Sequence, residues 1–228
     1  MILGIMGGPR VPGVANSIVD GKLVTQPPKT ALRKGDWAKV PVIIGANDAD
    51  LAVAPSQNKD DLFALAGPRA AEARALYDPK GDASLEQIIG TMLADRTMIE
   101  PARNVANLVA AGGQRAYLFR FSYVAESQRG KVPGATHGAE IAYAFDAAPL
   151  VLGKSATPSD IAIAAAMSGY WADFARSGDP NGGDRPKWPV NDPNVDRIIE
   201  FTNNGVVVGP DPFKPRLDFW KSIWDGRQ

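Results

Sequence analysis

The chain has 228 residues, 45% hydrophobic and 22% charged, enough for one large domain or a substantial piece of a larger one. Its 25 lysines and arginines balance its 25 aspartates and glutamates, which removes any argument for a basic nucleic-acid surface or a polybasic membrane anchor. Cysteine is absent and histidine occurs once, at His137, so disulfides, thiolate chemistry, cysteine-ligated metals and a multi-histidine metal site within one chain are all excluded.

The first thirteen residues, MILGIMGGPRVPG, are rich in glycine and proline and read as loop. They have no basic leader and no apolar core long enough for a signal peptide. No run approaches the roughly 18 apolar residues that span a bilayer. A soluble chain without membrane partner is expected, with no signal peptide within it, and the compartment stays open. NSIVDGKLVTQPP carries two short apolar stretches around Asp20-Gly21 and reads as a small hairpin or an extended surface segment. TALRKGDW reads as a short helix closed by Gly35. VPVIIGAND then has the form of a strand buried on both faces that delivers a polar loop at its C-terminal end.

From Asn58 to about Ala111 the pattern is helical, with breaks at Gly67-Pro68, at Asp78 to Gly81 and near Glu100-Pro101, and a stop at Gly112-Gly113. RAYLFRFSY alternates, is rich in aromatics, and predicts a second strand. Thr157-Pro158-Ser159-Asp160 predicts a helix start, with Asp160 or Ser159 able to cap, and the helix should run through IAIAAAMSGYWADFARSG. DRIIEFT and GVVVGP around Asn203-Asn204-Gly205 predict a hairpin. LDFWKSIWDG closes the chain as an amphipathic helix. This order of elements suggests an α/β sheet, with its topology cut off at the front.

Functional groups in α/β sheets gather on loops at the carboxyl ends of strands. Two such loops carry polar residues of interest. GANDAD after the first strand offers Asp48 and Asp50. GATHGAE, beyond the second strand, holds the sole histidine between Gly134 and Gly138, which suit unusual backbone angles and close approach to the ring. A carboxylate reaching one ring nitrogen would fix the tautomer, and the other nitrogen could act as general base toward a hydroxyl. Acid first and histidine later matches the chain order of a nucleophile–acid–histidine triad after its serine. The same residues could equally be turn-formers and a surface histidine.

Several segments together resemble the type B carboxylesterase family, which includes bacterial esterases and the cholinesterases. PVIIGANDAD is similar to the family's Gly-x-Asn-x-Asp-Glu acid segment, and GATHGAEIAYAF to its Gly-x-x-His-Gly-x-Glu loop. MSGYWADFARSGDPN resembles Trp-x-x-Phe-Ala-x-x-Gly-x-Pro-Asn, and KWPV the following Trp-Pro. NSIVDGKLV, RTMIEPAR and YLFRFSY fit in order. The resemblance implies residues 1–228 as a single domain, the C-terminal portion of an α/β-hydrolase fold with a mostly parallel sheet, helices on both faces and its first half missing.

It also implies carboxylic ester hydrolysis through a Ser-His-Asp/Glu acyl-enzyme mechanism on a small-molecule ester, with no cofactor or metal. Carried over, His137 is the general base and Asp50 falls at the position of the acid. Ala49-Asp50-Leu51 stands where the family has Asp-Glu-Gly, so Asp48 is a rival. Glu140 matches a glutamate that braces the histidine loop. Trp171, Phe174 and Trp188 match packing positions.

No Gly-x-Ser-x-Gly occurs in the sequence, and Gly7-Gly8 lies in the wrong order for an oxyanion loop. Ser168 falls inside a predicted helix, Ser122 in a strand, and Ser17 lacks an exposing turn. The chain is therefore expected to supply acid and histidine while lacking the nucleophile. The alternative is a catalytically inactive interaction module or truncated remnant. An unpaired first strand predicts a homo-oligomer or a complementing N-terminal fragment.

Overall fold

The computed structural model describes residues 19–50 and 58–226. Ser17, Gly7-Gly8 and Leu51 lie outside the described residues. The chain divides into two compact units, Met1–Val40 and Pro41–Gln228.

In the smaller unit, α1 (Pro28–Lys34) starts on a proline at its first turn and ends on Gly35 in the left-handed conformation, as expected of that stretch. Of the two readings of the stretch around Asp20-Gly21, a small hairpin or an extended surface segment, residues 19–26 form no hairpin and are mostly exposed. Asp20 Oδ1 accepts hydrogen bonds from the backbone N–H groups of Lys22, Leu23 and Val24 at 2.9–3.1 Å. It takes the donors a strand ladder would need, and the chain bends instead.

The larger unit holds a four-stranded sheet. Its strands are β1 (Val42–Asn47), β2 (Ala116–Phe121), β3 (Ile198–Thr202) and β4 (Gly205–Gly209), in the order β1-β2-β3-β4. The first three run parallel, and β4 turns back antiparallel through the Asn203-Asn204 hairpin. Seven helices of the described residues follow or intervene after β1: α2 (Lys59–Ala64), α3 (Ala70–Tyr77), α4 (Leu85–Ile88), α5 (Glu100–Ala111), α6 (Ile141–Ala144), α7 (Ala148–Leu152) and α8 (Pro158–Ser177). An eighth, α9 (Lys214–Asp225), follows β4.

Side-chain alternation divides the sheet into two faces. On one, Ile43, Tyr117, Phe119, Phe121 and Phe201 pack with Ile163, Met167 and Tyr170 of α8 and with Tyr143 of α6. Trp188 sits at the centre of this cluster, fully buried, edge-on to Tyr117 and Tyr170, with its indole N–H donating to the Leu118 carbonyl at 3.1 Å. Trp171 and Phe174 pack against the same cluster. On the other face, Ala46 meets Ala94, Ile99 and Leu217 of α9. Helices therefore cover both faces of an α/β sheet.

Gly45 is fixed by contact: a Cβ there would lie 2.3 Å from the Phe119 carbonyl oxygen and 2.4 Å from its ring. Two details differ from expectation. Val42 to Gly45 are half-buried rather than buried on both faces, because β1 is the edge of the sheet among the described residues. At the start of α8 the cap is Thr157, whose hydroxyl accepts from the Asp160 N–H, while the Asp160 carboxylate accepts from the Thr157 N–H and from the Tyr123 hydroxyl at 2.7 Å.

Between α4 and α5 the chain winds through two short π-helical turns, Ile89–Leu93 and Asp95–Ile99. The hydroxyls of Thr91 and Thr97 donate to the carbonyls of Gln87 and Leu93 at 2.8 and 2.6 Å, competing for acceptors within the helical ladder.

Candidate active site

The site is built where β1 and β2 end. The ladder between them persists one residue past β1, with the Asp48 N–H donating to the Phe121 carbonyl at 3.0 Å. The chain then runs alongside the histidine loop. The Ala49 N–H donates to the Ala135 carbonyl at 3.1 Å, the Ala135 N–H donates to Asp48 Oδ1 at 2.7 Å, and Ala49 and Thr136 form a parallel bridge. So close a seam requires glycine at 134, where a Cβ would lie 2.7 Å from Asp48 Oδ1 and 3.0 Å from the Ala49 Cβ. Burial pushes the Asp48 carboxyl above its ordinary value, with the Ala135 N–H pulling the other way.

This seam brings Asp50 and His137 together. Asp50 Oδ1 lies 2.5 Å from His137 Nδ1. Its other oxygen, Oδ2, accepts from the Asn47 N–H at 3.1 Å. The Asp50 side chain is 5% exposed and the His137 side chain 42%, so a sheltered carboxylate holds one edge of a ring that solvent reaches. Gly138, with φ +80°, gives the left-handed turn that follows His137 and leads into α6.

Asp48 and Glu140 do different work. Asp48 is engaged by the Ala135 backbone. Glu140 accepts from Asn47 Nδ2 at 2.5 Å, and the same amide nitrogen donates to the Thr136 carbonyl at 2.7 Å. Asn47 is the participant that sequence reasoning passed over, although it is the Asn of the Gly-x-Asn segment. Its position at the end of a buried strand was the available signal.

The serines stand elsewhere. Ser168 lies within α8, and Ser122 donates to Glu200 Oε1 at 2.7 Å. Behind the histidine loop is a mostly apolar cavity of about 270 Å³ lined by Tyr123, Ala135, Thr136, Ala139, Tyr143 and Leu152 among others. Among the described residues, no group of three or more His, Asp or Glu side chains is arranged to hold a metal ion, and no helix is long and apolar enough to cross a membrane.

Residues 66–220 match the model of the carboxylesterase family. The chain belongs to the carboxylesterase family. Among its relatives, carboxylesterase 5A of Mus musculus is 27% identical over 231 residues, which cover 89% of this chain and 40% of that protein. Cocaine esterase of Oryctolagus cuniculus is 26% identical, with 92% of this chain and 43% of that protein covered. Among solved structures, a carboxylesterase of Geobacillus stearothermophilus superposes with a TM-score of 0.68 at 26% identity, covering 92% of this chain and 46% of that one. The chain thus spans less than half the length of these carboxylesterases. Its mostly parallel sheet with flanking helices is the fold expected of the resemblance.

Proposed function

We propose that this chain supplies the acid–histidine half of carboxylic ester hydrolysis, as the C-terminal portion of one α/β-hydrolase domain. The observation that carries the reading is the 2.5 Å contact between Asp50 Oδ1 and His137 Nδ1. With Nδ1–H donated to Asp50, the lone pair of Nε2 is free to take the proton of a serine hydroxyl as its oxygen adds to the ester carbonyl. The imidazolium so formed sits beside the Asp50 carboxylate and returns the proton to the departing alcohol, leaving an acyl-enzyme. A water molecule, deprotonated by the same nitrogen, releases the acid and restores the serine. The serine and the oxyanion donors come, on this reading, from another stretch of polypeptide, since no Gly-x-Ser-x-Gly occurs in the 228 residues.

The chain by itself is then expected to hydrolyse a short-chain nitrophenyl ester no faster than its His137→Ala variant. Co-expression with a polypeptide carrying the serine and oxyanion segments of a family member is expected to restore turnover, with Asp50→Asn lowering kcat by about 10⁴-fold. Restored turnover indifferent to His137→Ala would sink the reading.

A specific observation favours a partner at β1. This edge strand flanks a groove of about 370 Å³ lined by Ile43, Phe119, Ile141, Phe145 and Trp171, with Phe145 79% exposed. Unpaired strand edges beside apolar surface invite pairing, so a complementing fragment or a second copy is proposed to cover it. A second reading, an interaction module without catalysis, rests on the same groove. A clean monomer at micromolar concentration in analytical ultracentrifugation counts against the second copy, and complementation that fails to restore turnover while the fragment binds favours the interaction module.

A further inference from the structure

We infer that Asn47 is the positioning residue of the acid–histidine pair, an inference that rests on the esterase reading above. Its backbone N–H donates to Asp50 Oδ2 at 3.1 Å. Its side-chain nitrogen donates to the carbonyl of Thr136, the residue before His137, and to the carboxylate of Glu140, three residues after it. One residue therefore grips the acid on one side and both flanks of the histidine on the other.

The residue type follows from this geometry. An amide nitrogen has two hydrogens, and both are used here on acceptors alone. Aspartate at 47 would set a second carboxylate against Glu140 and the Thr136 carbonyl. Leucine or valine would suit a buried strand end but would leave those two acceptors without a donor. The amide also carries a cost: Asn47 is 1% exposed and its Oδ1 is buried with no partner among the described residues. A buried acceptor without a donor is unfavourable, so the side chain is best explained by what its nitrogen holds. The two atoms stand at 2.5 Å, and a productive acid–base constellation must be held to within about 0.5 Å by the residues around it. The left-handed turn at Gly138 follows the ring immediately, and the bond from Asn47 to Glu140 closes the loop across it.

His137 is the only histidine, so every imidazole signal of the ¹⁵N-histidine-labelled chain reports this site. In the wild-type chain, nitrogen–proton correlation spectra are expected to give a far-downfield Nδ1–H proton and a neutral ring protonated on Nδ1. In Asn47→Ala, with the fold checked by circular dichroism, that proton resonance is expected to vanish and the neutral ring to shift toward the Nε2–H tautomer. A folded Asn47→Ala chain with the wild-type resonance and tautomer overturns the positioning role. Should Asn47→Ala fail to fold, Asn47→Asp carries the same test. It is expected to lose the resonance, and adding Glu140→Gln, which reverses donor and acceptor at one of its two side-chain contacts, is expected to restore it in part. Absence of restoration overturns the inference. A wild-type chain lacking the Nδ1–H signal instead brings down the acid–histidine pair itself, an outcome distinct from the failure of Asn47.

Discussion

Two pairs, Asp211 with Arg120 and Asp50 with His137, each hold a buried aspartate and lead opposite lives. Arg120 lies opposite Ala46 in the sheet register, and its guanidinium grips Asp211 through both oxygens at 2.5 and 3.0 Å, with the two side chains 3% and 2% exposed. The Asp50–His137 contact is equally short, but the His137 side chain is 42% exposed. Both pairs shelter an aspartate. What separates them is that one partner is buried in the fold while solvent reaches the other's ring. A buried acid alone does not mark a reactive site, and on the proposed reading the accessible titratable ring is what sets the Asp50 pair apart.

The comparison can be broken most forcefully at the structural pair. Asp211→Ala strands the Arg120 charge in the interior and is expected to cost about 3–5 kcal/mol in urea unfolding. Asp50→Asn, which leaves behind a side chain that solvent reaches, is expected to cost about 1 kcal/mol or less. Equal losses would erase the distinction.

A smaller effect sharpens the point that burial without a partner is a liability. Glu100 is 1% exposed, its Oε2 has no hydrogen-bond partner among the described residues, and the nearest Arg103 nitrogen is 3.9 Å away. Desolvation pushes its carboxyl up from 4.5 to about 7, against the pull of Arg103. The folded state then binds more protons than the unfolded chain between these values, so this group lowers stability as pH rises from about 4.5 to about 7. Glu100→Gln is expected to match wild type near pH 4 and to exceed it by at most about 3 kcal/mol at pH 8. A difference independent of pH would refute the desolvation account.

Gly134→Ala tests the seam between the two loops. Its Cβ must displace Asp48 or Ala49, and the expected cost is about 1–3 kcal/mol together with loss of the His137 Nδ1–H resonance. The smallest effect falls on the ring: His137→Ala should change stability by about 1 kcal/mol or less, as befits a side chain that little of the core depends on.

Much of this was legible in the residues. β1, β2, the Asn203-Asn204 hairpin, α8 and α9 each carry a strong local pattern, and the structure has them where that pattern falls. Asp50 and His137 became candidates through motif order, because nothing local says that a carboxylate at 50 and an imidazole at 137 will meet. What escaped depends on donors and acceptors rather than on apolar spacing. Asp20 captures three backbone amides, Thr157 takes the cap from Ser159 and Asp160, and Thr91 and Thr97 compete for helical carbonyls. Asn47 belongs with them, since its bonds join segments about ninety positions apart.

That span has a kinetic meaning. The acid and the ring are separated by 87 positions, and the ladder joining them continues the pairing of β1 with β2. In a chain whose strands have not yet zipped, Asp50 and His137 are apart, each bathed in water. On the proposed reading, base chemistry at His137 should therefore emerge in step with protection of the Ala49 and Ala135 amides from hydrogen exchange.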